Sequence, residues 1–338
     1  MTPEISIVLP VCHGGRFLRD VLVSLRSVTF NKDGFEIIVA GDQDDCQSRA
    51  AVEAESAAGE CDVKYVAAGG RSRSAKLNAA FAQTKGRILA FADDDCIICP
   101  DWLGRIKAIF DEDKGIGAVG GRDVLETTGT PFDLALDCIL TSSIGVGSMR
   151  KGTSSSLGKY YPRLWDMAIP RRVAESVSAD RSGVPILFNE DLEVHEDVEL
   201  MERIERAGWR LVFVPDLVVR HRRDTSFRSF VKRNFNMGRA CRSLRVHRLP
   251  HILLATLFFC GILLGVGAVG VPQLRLPFGL LLCLCLIHIV SAGLIAIIRT
   301  GNFLVMLLTP ALLYSLYAAR VLGYLFPQKQ GYSQRSGS

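Results

Sequence analysis

Short apolar runs and helically spaced apolar residues alternate along the first two-thirds of the chain. Residues 5–11 form an apolar run stopped by Pro10, the length a buried strand prefers. In residues 17–28, Phe17, Leu18, Val21, Leu22 and Leu25 share one stripe at helical spacing. Residues 35–41 predict a second strand, 47–58 a helix rich in Ala and Glu, and 63–66 a third strand. Gly69 and Gly70 open a helix that runs through 74–81, and residues 88–92 predict a fourth strand. Strands at 116–121, 165–170, 209–214 and 218–221 follow, with helices at 171–177 and 198–207 between them. Gly208 closes the last helix, and Pro215 ends the strand after it. Between 125 and 159 the pattern weakens, and the Gly- and Ser-rich stretch at 145–158 reads either as a loop over a site or as a surface linker. Strands alternating with helices of 10–15 residues predict an α/β fold on a parallel, right-handed sheet.

The pattern changes beyond residue 221. Residues 222–248 carry nine Arg and Lys against one acid, Asp224, with Phe227, Phe230, Val231 and Phe235 among them at near-helical spacing. That predicts a basic amphipathic helix lying on an anionic membrane surface, with phosphate of a lipid-linked substrate as the alternative target. Residues 252–271, 276–298 and 303–326 are apolar segments near or above the ~20 residues that cross a bilayer. Pro272 and Pro277 bracket the first turn between them, and Gly301 and Asn302 mark the second. The expected organisation is a catalytic domain over 1–221, a basic interfacial segment over 222–250, a membrane region with two to three transmembrane helices over 251–327, and a polar tail over 328–338.

Charge sharpens this division. All 35 acids lie in the first 224 residues, against 28 basic residues, a net of −7; the remainder holds 12 basic residues and no acid. A basic flank beside apolar spans predicts a multi-pass protein of the inner (cytoplasmic) membrane with its catalytic domain in the cytoplasm. Three crossings would put the tail outside, against Arg320, Lys329 and Arg335, so an interfacial or re-entrant third segment is the alternative. Nucleic-acid binders carry their basic face on the folded domain, so no nucleic-acid partner is expected. Met1 to Ile5 lack a basic stretch leading into an apolar one, and no secretory leader is expected. The ten cysteines are scattered, and Cys96 and Cys99 form a lone C-x-x-C read as two ordinary thiols in a reducing compartment.

Candidate chemistry gathers at the strand ends. The fourth strand runs into Asp93, Asp94 and Asp95, three adjacent carboxylates that repel one another unless a cation sits among them. Hard ions such as Mg²⁺ or Mn²⁺ take carboxylate oxygens together with substrate phosphates. If the strand continued, Asp93 and Asp95 would face one side and converge on one ion; a solvated acidic turn is the alternative. Ligands of parallel α/β sheets bind outside the carboxyl ends of the strands, where Pro10, Asp42 and Asp93 to Asp95 would meet. No glycine-rich dinucleotide fingerprint or P-loop is present. A metal held there calls for an anionic partner such as a nucleotide diphosphate. Asp42 could accept a hydrogen bond from a base or ribose, while Arg71, Arg73 and Lys76 read either as phosphate ligands or as solvated helix charges. Glu196 and Asp197 precede a helix, where acids also act as favourable caps. As a general base, Asp197 would take the acceptor hydroxyl's proton, a role worth ~10²–10⁴-fold in rate.

The set resembles a family 2 glycosyltransferase of the GT-A fold. Residues 5–10 resemble the family's opening strand, and residues 36–42 its nucleotide-binding strand, with Gly41 where the first of two acids usually stands and Asp42 in place of the second. Residues 75–80 resemble its Ala-x-x-Asn helix, Asp93 to Asp95 its metal-binding DxD, Glu196 and Asp197 its ED pair, and Pro215 with Val219 and His221 a late Pro…Val-x-His element. The resemblance covers residues 4 to about 240. It implies an inverting single displacement on a nucleotide-diphosphate sugar, UDP-linked sugars being the commonest donors, with Mg²⁺ or Mn²⁺ as cofactor. It implies Asp197 as base, Asp93, Asp95 and His221 around the metal, and Pro10, Val11, Asp42, Arg71, Lys76, Asp93 and Asp94 around the donor. The Gln-x-x-Arg-Trp element of processive synthases is missing from residues 231–239, which favours transfer of a single sugar. The apolar tail resembles membrane-bound transferases that extend lipid-linked saccharides of bacterial exopolysaccharides. Alternatives are transfer onto polyprenyl phosphate itself, or a non-catalytic membrane scaffold with a decayed catalytic domain.

Overall fold

The computed structural model describes residues 2–326 except 12–14, 60, 71, 127–128, 143–159, 182, 193, 223–224 and 242–247. Arg71, the 145–158 stretch and the 328–338 tail therefore lie outside the described residues. The chain divides into two compact units, Met1–Asp224 and Thr225–Ser338.

The front unit is built on one eight-stranded sheet. Its strands are β1 (Ile5–Pro10), β2 (Phe35–Gly41), β3 (Asp62–Ala67), β4 (Ile88–Phe91), β5 (Cys96–Ile98), β6 (Ile116–Leu125), β7 (Met167–Pro170) and, beyond the hairpin of β8 (Ala179–Arg181) and β9 (Val184–Ile186), β10 (Arg210–His221). They lie in the order β3-β2-β1-β4-β7-β6-β10-β5. The first four in that order are parallel, as the alternation predicts. Every residue of β1, β2 and β4 is buried, which is why these strands read as continuous apolar runs. The helices α1 (Leu18–Arg26), α2 (Cys46–Ala58), α3 (Arg73–Phe81) and α4 (Trp102–Glu112) return the chain between strands. Glu36, a buried acid within β2, accepts from Ser6 Oγ and from the Lys85 amide, both at 2.6 Å, tying the approach to β4 onto its neighbours.

The second half departs from an all-parallel sheet. Strand β7 pairs antiparallel with both β4 and β6, and β5 pairs antiparallel with the end of β10. The two short strands predicted around Pro215 are one strand, β10, whose register against β6 shifts between Phe213 and Val218. Proline lacks a ladder donor, and the irregularity accommodates it without ending the strand. Helix α5 (Pro131–Thr141) fills part of the region where the pattern was weak, started by Thr130 and Asp133 in a reciprocal capping box. Helix α6 (Arg171–Val177) precedes the hairpin, and α7 (Glu196–Arg206) carries acids in its first turn and Arg203 and Arg206 in its last, in accord with the helix dipole.

The rear unit is helical: α8 (Phe227–Ala240), α9 (Arg248–Gly270), α10 (Arg275–Thr300) and α11 (Phe303–Leu325). Gly301, at φ 66°, closes α10, and Asn302 caps α11 by accepting from the Leu304 and Val305 amides. Helix α10 with its leading turn, and α11, are long and apolar enough to cross a membrane. Helix α8 is amphipathic, with Phe230, Asn234 and Gly238 buried and Arg228, Lys232 and Arg233 exposed.

Candidate functional site

Because β3, β2, β1 and β4 run parallel, their carboxyl ends share one edge of the sheet. At that edge Lys76 of α3 reaches between two strand ends. Its Nζ donates to the Val11 carbonyl at 2.8 Å and to Asp42 Oδ2 at 3.1 Å. An open cleft of about 390 Å³ beside them is lined by Asp42, Gln43, Asp44, Ala68, Gly69 and Gly70. Gly41, the departure from the resembled pattern, has a local cause. A Cβ there would collide with the Tyr65 hydroxyl, which donates to the Asp42 carbonyl at 2.7 Å. Burial pushes the Tyr65 phenol up to about 12, so it remains a donor. Pro10 ends β1, and the Val11 amide continues the ladder by donating to the Ala40 carbonyl at 2.7 Å.

Strand β4 stops at Phe91, so Asp93, Asp94 and Asp95 occupy a turn into β5 rather than the strand itself. Strand alternation does not govern them, and the structure sends their side chains to different partners. Asp93 pairs with Arg73 of α3, whose Nε also lies 3.5 Å from Glu196 Oε1. Asp95 Oδ1 lies 3.0 Å from His221 Nε2 at the end of β10. Asp94 is almost fully buried. The pairing of β5 with β10 brings His221 opposite Cys96, next to Asp95, although 125 residues separate Cys96 from His221.

Among the described residues, Asp95, Cys96 and His221 bring ligand atoms within 4.8 Å of one another. Burial, then the carboxylates of Asp93 and Asp95, push the Cys96 thiol well up, and the thiol is turned to the Trp165 carbonyl, to which it donates at 3.8 Å. That leaves a carboxylate and an imidazole, a donor set that fits a hard divalent ion and not a thiolate zinc site. The other face of His221 meets Asp123 of β6, with Oδ2 at 3.6 Å from Nδ1, and the Trp165 ring lies 6.0 Å away.

The third cluster stands at the start of α7. Asn78 of α3 clamps the segment leading into it: its side-chain oxygen accepts from the Leu187 and Phe188 amides at 3.1 and 2.8 Å, and its Nδ2 donates to the Phe188 carbonyl and Glu190. Phe188 packs edge-on against Phe91, with ring centroids 5.6 Å apart. His195 then takes φ 67°, the one positive-φ non-glycine among the described residues. A left-handed residue at that point costs of order 1–3 kcal/mol, and such strain clusters at functional sites. It sets Glu196 and Asp197 in the first turn of α7. Burial, opposed by Arg73, raises the Glu196 carboxyl above its ordinary range. Asp197 Oδ1 accepts from the Val198 amide at 2.8 Å and lies 3.3 Å from Arg163 Nη1.

The structure thus joins Val11, Asp42 and Lys76 in one group, Asp95 and His221 in a second, and Asp93 with Glu196 through Arg73 in a third. Arg163, Asp123 and Tyr65 were not singled out from the sequence. Each meets its partner only through space, and no motif marks it.

Comparison with known proteins bears on what this edge does. A family profile described as "Glycosyltransferase like family 2" matches residues 3–240, and one described as "Glycosyl transferase family 21" matches residues 191–322. A curated relative, glycosyltransferase AglE of Haloferax volcanii, is 24% identical over 277 residues, 80% of this chain and 83% of its own length. Among solved structures, the mannosyltransferase PcManGT from Pyrobaculum calidifontis, in complex with GDP-Man and Mn²⁺, has a TM-score of 0.61 at 16% identity. That match covers 95% of this chain and 88% of the other, and it is a likeness of fold.

Proposed function

The chain belongs to glycosyltransferase family 2 and has the GT-A fold, and from that membership we propose that it transfers a single sugar from a nucleotide-diphosphate sugar to a lipid-linked saccharide at the cytoplasmic face of the inner membrane. The observation that carries this reading is the set of pairs that ties the strand ends to α7: Lys76 of α3 holds Asp42 just beyond β2, Arg73 of α3 reaches both Asp93 in the β4–β5 turn and Glu196 of α7, and His221 of β10 meets Asp95.

In this reading the cleft beside Asp42 takes the nucleoside, UDP being the favoured donor nucleotide, and the family resemblance assigns Pro10, Val11, Arg71, Lys76 and Asp94 to donor binding with it. Asp95 and His221, with Asp93 as the next carboxylate along the turn, hold Mg²⁺ or Mn²⁺. When bound, the ion supplies positive charge to the departing diphosphate. Arg73 exchanges its carboxylate partners for phosphate oxygens. Asp197 is the general base. Its Oδ1 is occupied by the Val198 amide and Arg163, and among the described residues Oδ2 carries no hydrogen bond, which leaves it to receive the acceptor proton. The apolar helices of the rear unit anchor the enzyme where a lipid-borne acceptor emerges, and the absence of the Gln-x-x-Arg-Trp element supports one transfer per acceptor.

The test is a transfer assay on full-length protein with labelled nucleotide sugars and membrane lipid extract as acceptor. Metal-dependent appearance of label in the lipid fraction is the expected result. Label that stays in the aqueous phase with every donor, from protein that binds nucleotide, would refute the lipid-linked acceptor.

A further inference from the structure

Each of the three acids in the first turn of α7 is met by a different arginine. Arg73 of α3 lies 3.5 Å from Glu196, and Arg203 of α7 itself lies 2.8 Å from Glu199. Asp197 is met at 3.3 Å by Arg163, from a segment that belongs to neither helix. The positive end of the α7 dipole works against a cation at this place, so helix stability gives no reason for Arg163. The Asp197 carboxylate does. Both side chains of the pair are largely withdrawn from water, 18% and 11% exposed, so solvent screens the contact little.

The segment that carries Arg163 is fixed on several sides. Tyr160, Tyr161 and Leu164 are buried. The Tyr161 hydroxyl donates to Glu205 Oε2 at 3.3 Å, tying the segment to the far end of α7. The Asp166 amide donates to the Arg163 carbonyl at 2.9 Å and closes a four-residue turn. The buried Asp166 carboxyl accepts from Trp102 Nε1 at 2.7 Å, which pins that turn to α4. In the same turn the Trp165 ring lies 6.0 Å from the His221 ring, and the Trp165 carbonyl accepts from the Cys96 thiol. One turn therefore touches both Asp197 and the histidine beside Asp95.

The contact at Asp197 is selective between its two oxygens. Arg163 Nη1 and the Val198 amide both reach Oδ1. Two donors on one oxygen hold the carboxylate against rotation and give the other oxygen a fixed direction. Direction matters to a base, because a misplacement of about 1 Å can cost ~10²-fold in rate.

We propose that Arg163 is the positioning residue of the general base, holding Asp197 Oδ1 so that Oδ2 faces the acceptor hydroxyl. The inference rests on the transferase reading with Asp197 as base. In the step it serves, the hydroxyl proton passes to Oδ2 while the hydroxyl oxygen bonds the sugar's anomeric carbon. The bond from that carbon to the diphosphate breaks, and its electron pair leaves with the nucleoside diphosphate. Arg163 acts through Asp197 and takes no proton itself.

The test is single-turnover transfer by full-length protein in detergent, with Mn²⁺, membrane lipid extract and radiolabelled UDP-glucose, UDP-galactose or GDP-mannose, beside calorimetric binding of UDP and GDP. Arg163→Gln should slow transfer at least tenfold while nucleotide affinity stays within twofold. Arg163→Lys, which keeps the charge but loses the planar fork, should fall between Arg163→Gln and the wild type. In an Asp197→Asn background the same Arg163→Gln change should alter the rate less than twofold, because the group it positions is gone. A purely structural role would instead add its loss in both backgrounds. Should Arg163→Gln fail to fold, Arg163→Lys in the two backgrounds carries the comparison. A wild-type rate in Arg163→Gln with a slow Asp197→Asn would overturn this inference and leave the base reading standing. A wild-type rate in Asp197→Asn would overturn both. A nucleotide affinity that falls in step with the rate, or a further tenfold loss in the Asp197→Asn background, would also overturn the positioning role.

Discussion

In the front unit Arg73, Lys76 and Arg163 meet Asp93, Asp42 and Asp197, and His221 lies between Asp95 and Asp123. In the rear unit Arg320 meets the Asn234 amide oxygen and the Met237 thioether, and residues 225–338 hold no Asp or Glu. The difference teaches what charge is for in each unit. The front edge gives each of its cations a carboxylate of its own unit, so an arriving diphosphate with its ion exchanges partners that are already present. The rear unit carries basic residues with no Asp or Glu of its own. Charge in the first region therefore speaks to chemistry, and charge in the second to the membrane.

The strongest way to break this contrast is to neutralise a front carboxylate that the chemistry uses. Asp197→Asn should cut transfer by ~10²–10⁴-fold while nucleotide affinity holds, as single-turnover transfer and calorimetry would show side by side. A wild-type rate would remove Asp197 as the base. Asp95→Ala comes next. It should abolish the metal-dependent part of nucleotide binding, a loss of tenfold or more in affinity, and leave metal-free binding near its original value. In the rear unit, Gly323→Val forces a side chain into the Phe235 carbonyl and should cost about 1–3 kcal/mol, seen as a lower Tm in detergent. An unchanged Tm would mean that the contact of α8 with α11 is looser than described.

The smallest effect sharpens the front side. Asp166 is buried, accepts from Trp102 Nε1 at 2.7 Å, and has its carboxyl pushed well up by that burial. Folded protein then holds a proton that unfolded chain releases near pH 4, so stability falls as pH rises from there toward the folded value. Asp166→Asn should remove that dependence. Its Tm should match the wild type near pH 4 and exceed it increasingly as pH rises toward the folded value. Parallel curves would mean that the carboxyl titrates alike in both states.

Much of this was legible because the sequence keeps it local. Fully buried parallel strands leave apolar runs, and Asp42, Asp93 to Asp95 and Asp197 sit just beyond such runs or at a helix start. The C-terminal turns at Gly301 and Asn302 were equally plain. What escaped depends on packing across the sheet. Strand β5 is three residues long and exists through its pairing with β10, so Cys96 read as one half of a C-x-x-C motif. Pro215 read as a strand end because a register shift leaves no mark in composition. Gly41 read as a missing acid, whereas the Tyr65 hydroxyl takes the space a side chain would need. Arg163 finds Asp197 across 34 residues of chain, with no periodicity to announce it.

The most direct measurement is calorimetric binding of UDP, GDP and dTDP to full-length wild type and Asp95→Ala, each with and without Mn²⁺. The account predicts that one nucleotide binds the wild type at least tenfold more tightly with Mn²⁺ and that Asp95→Ala loses this gain. Binding that ignores Mn²⁺, or a gain that survives Asp95→Ala, would contradict a metal-dependent donor site at the β4–β5 turn.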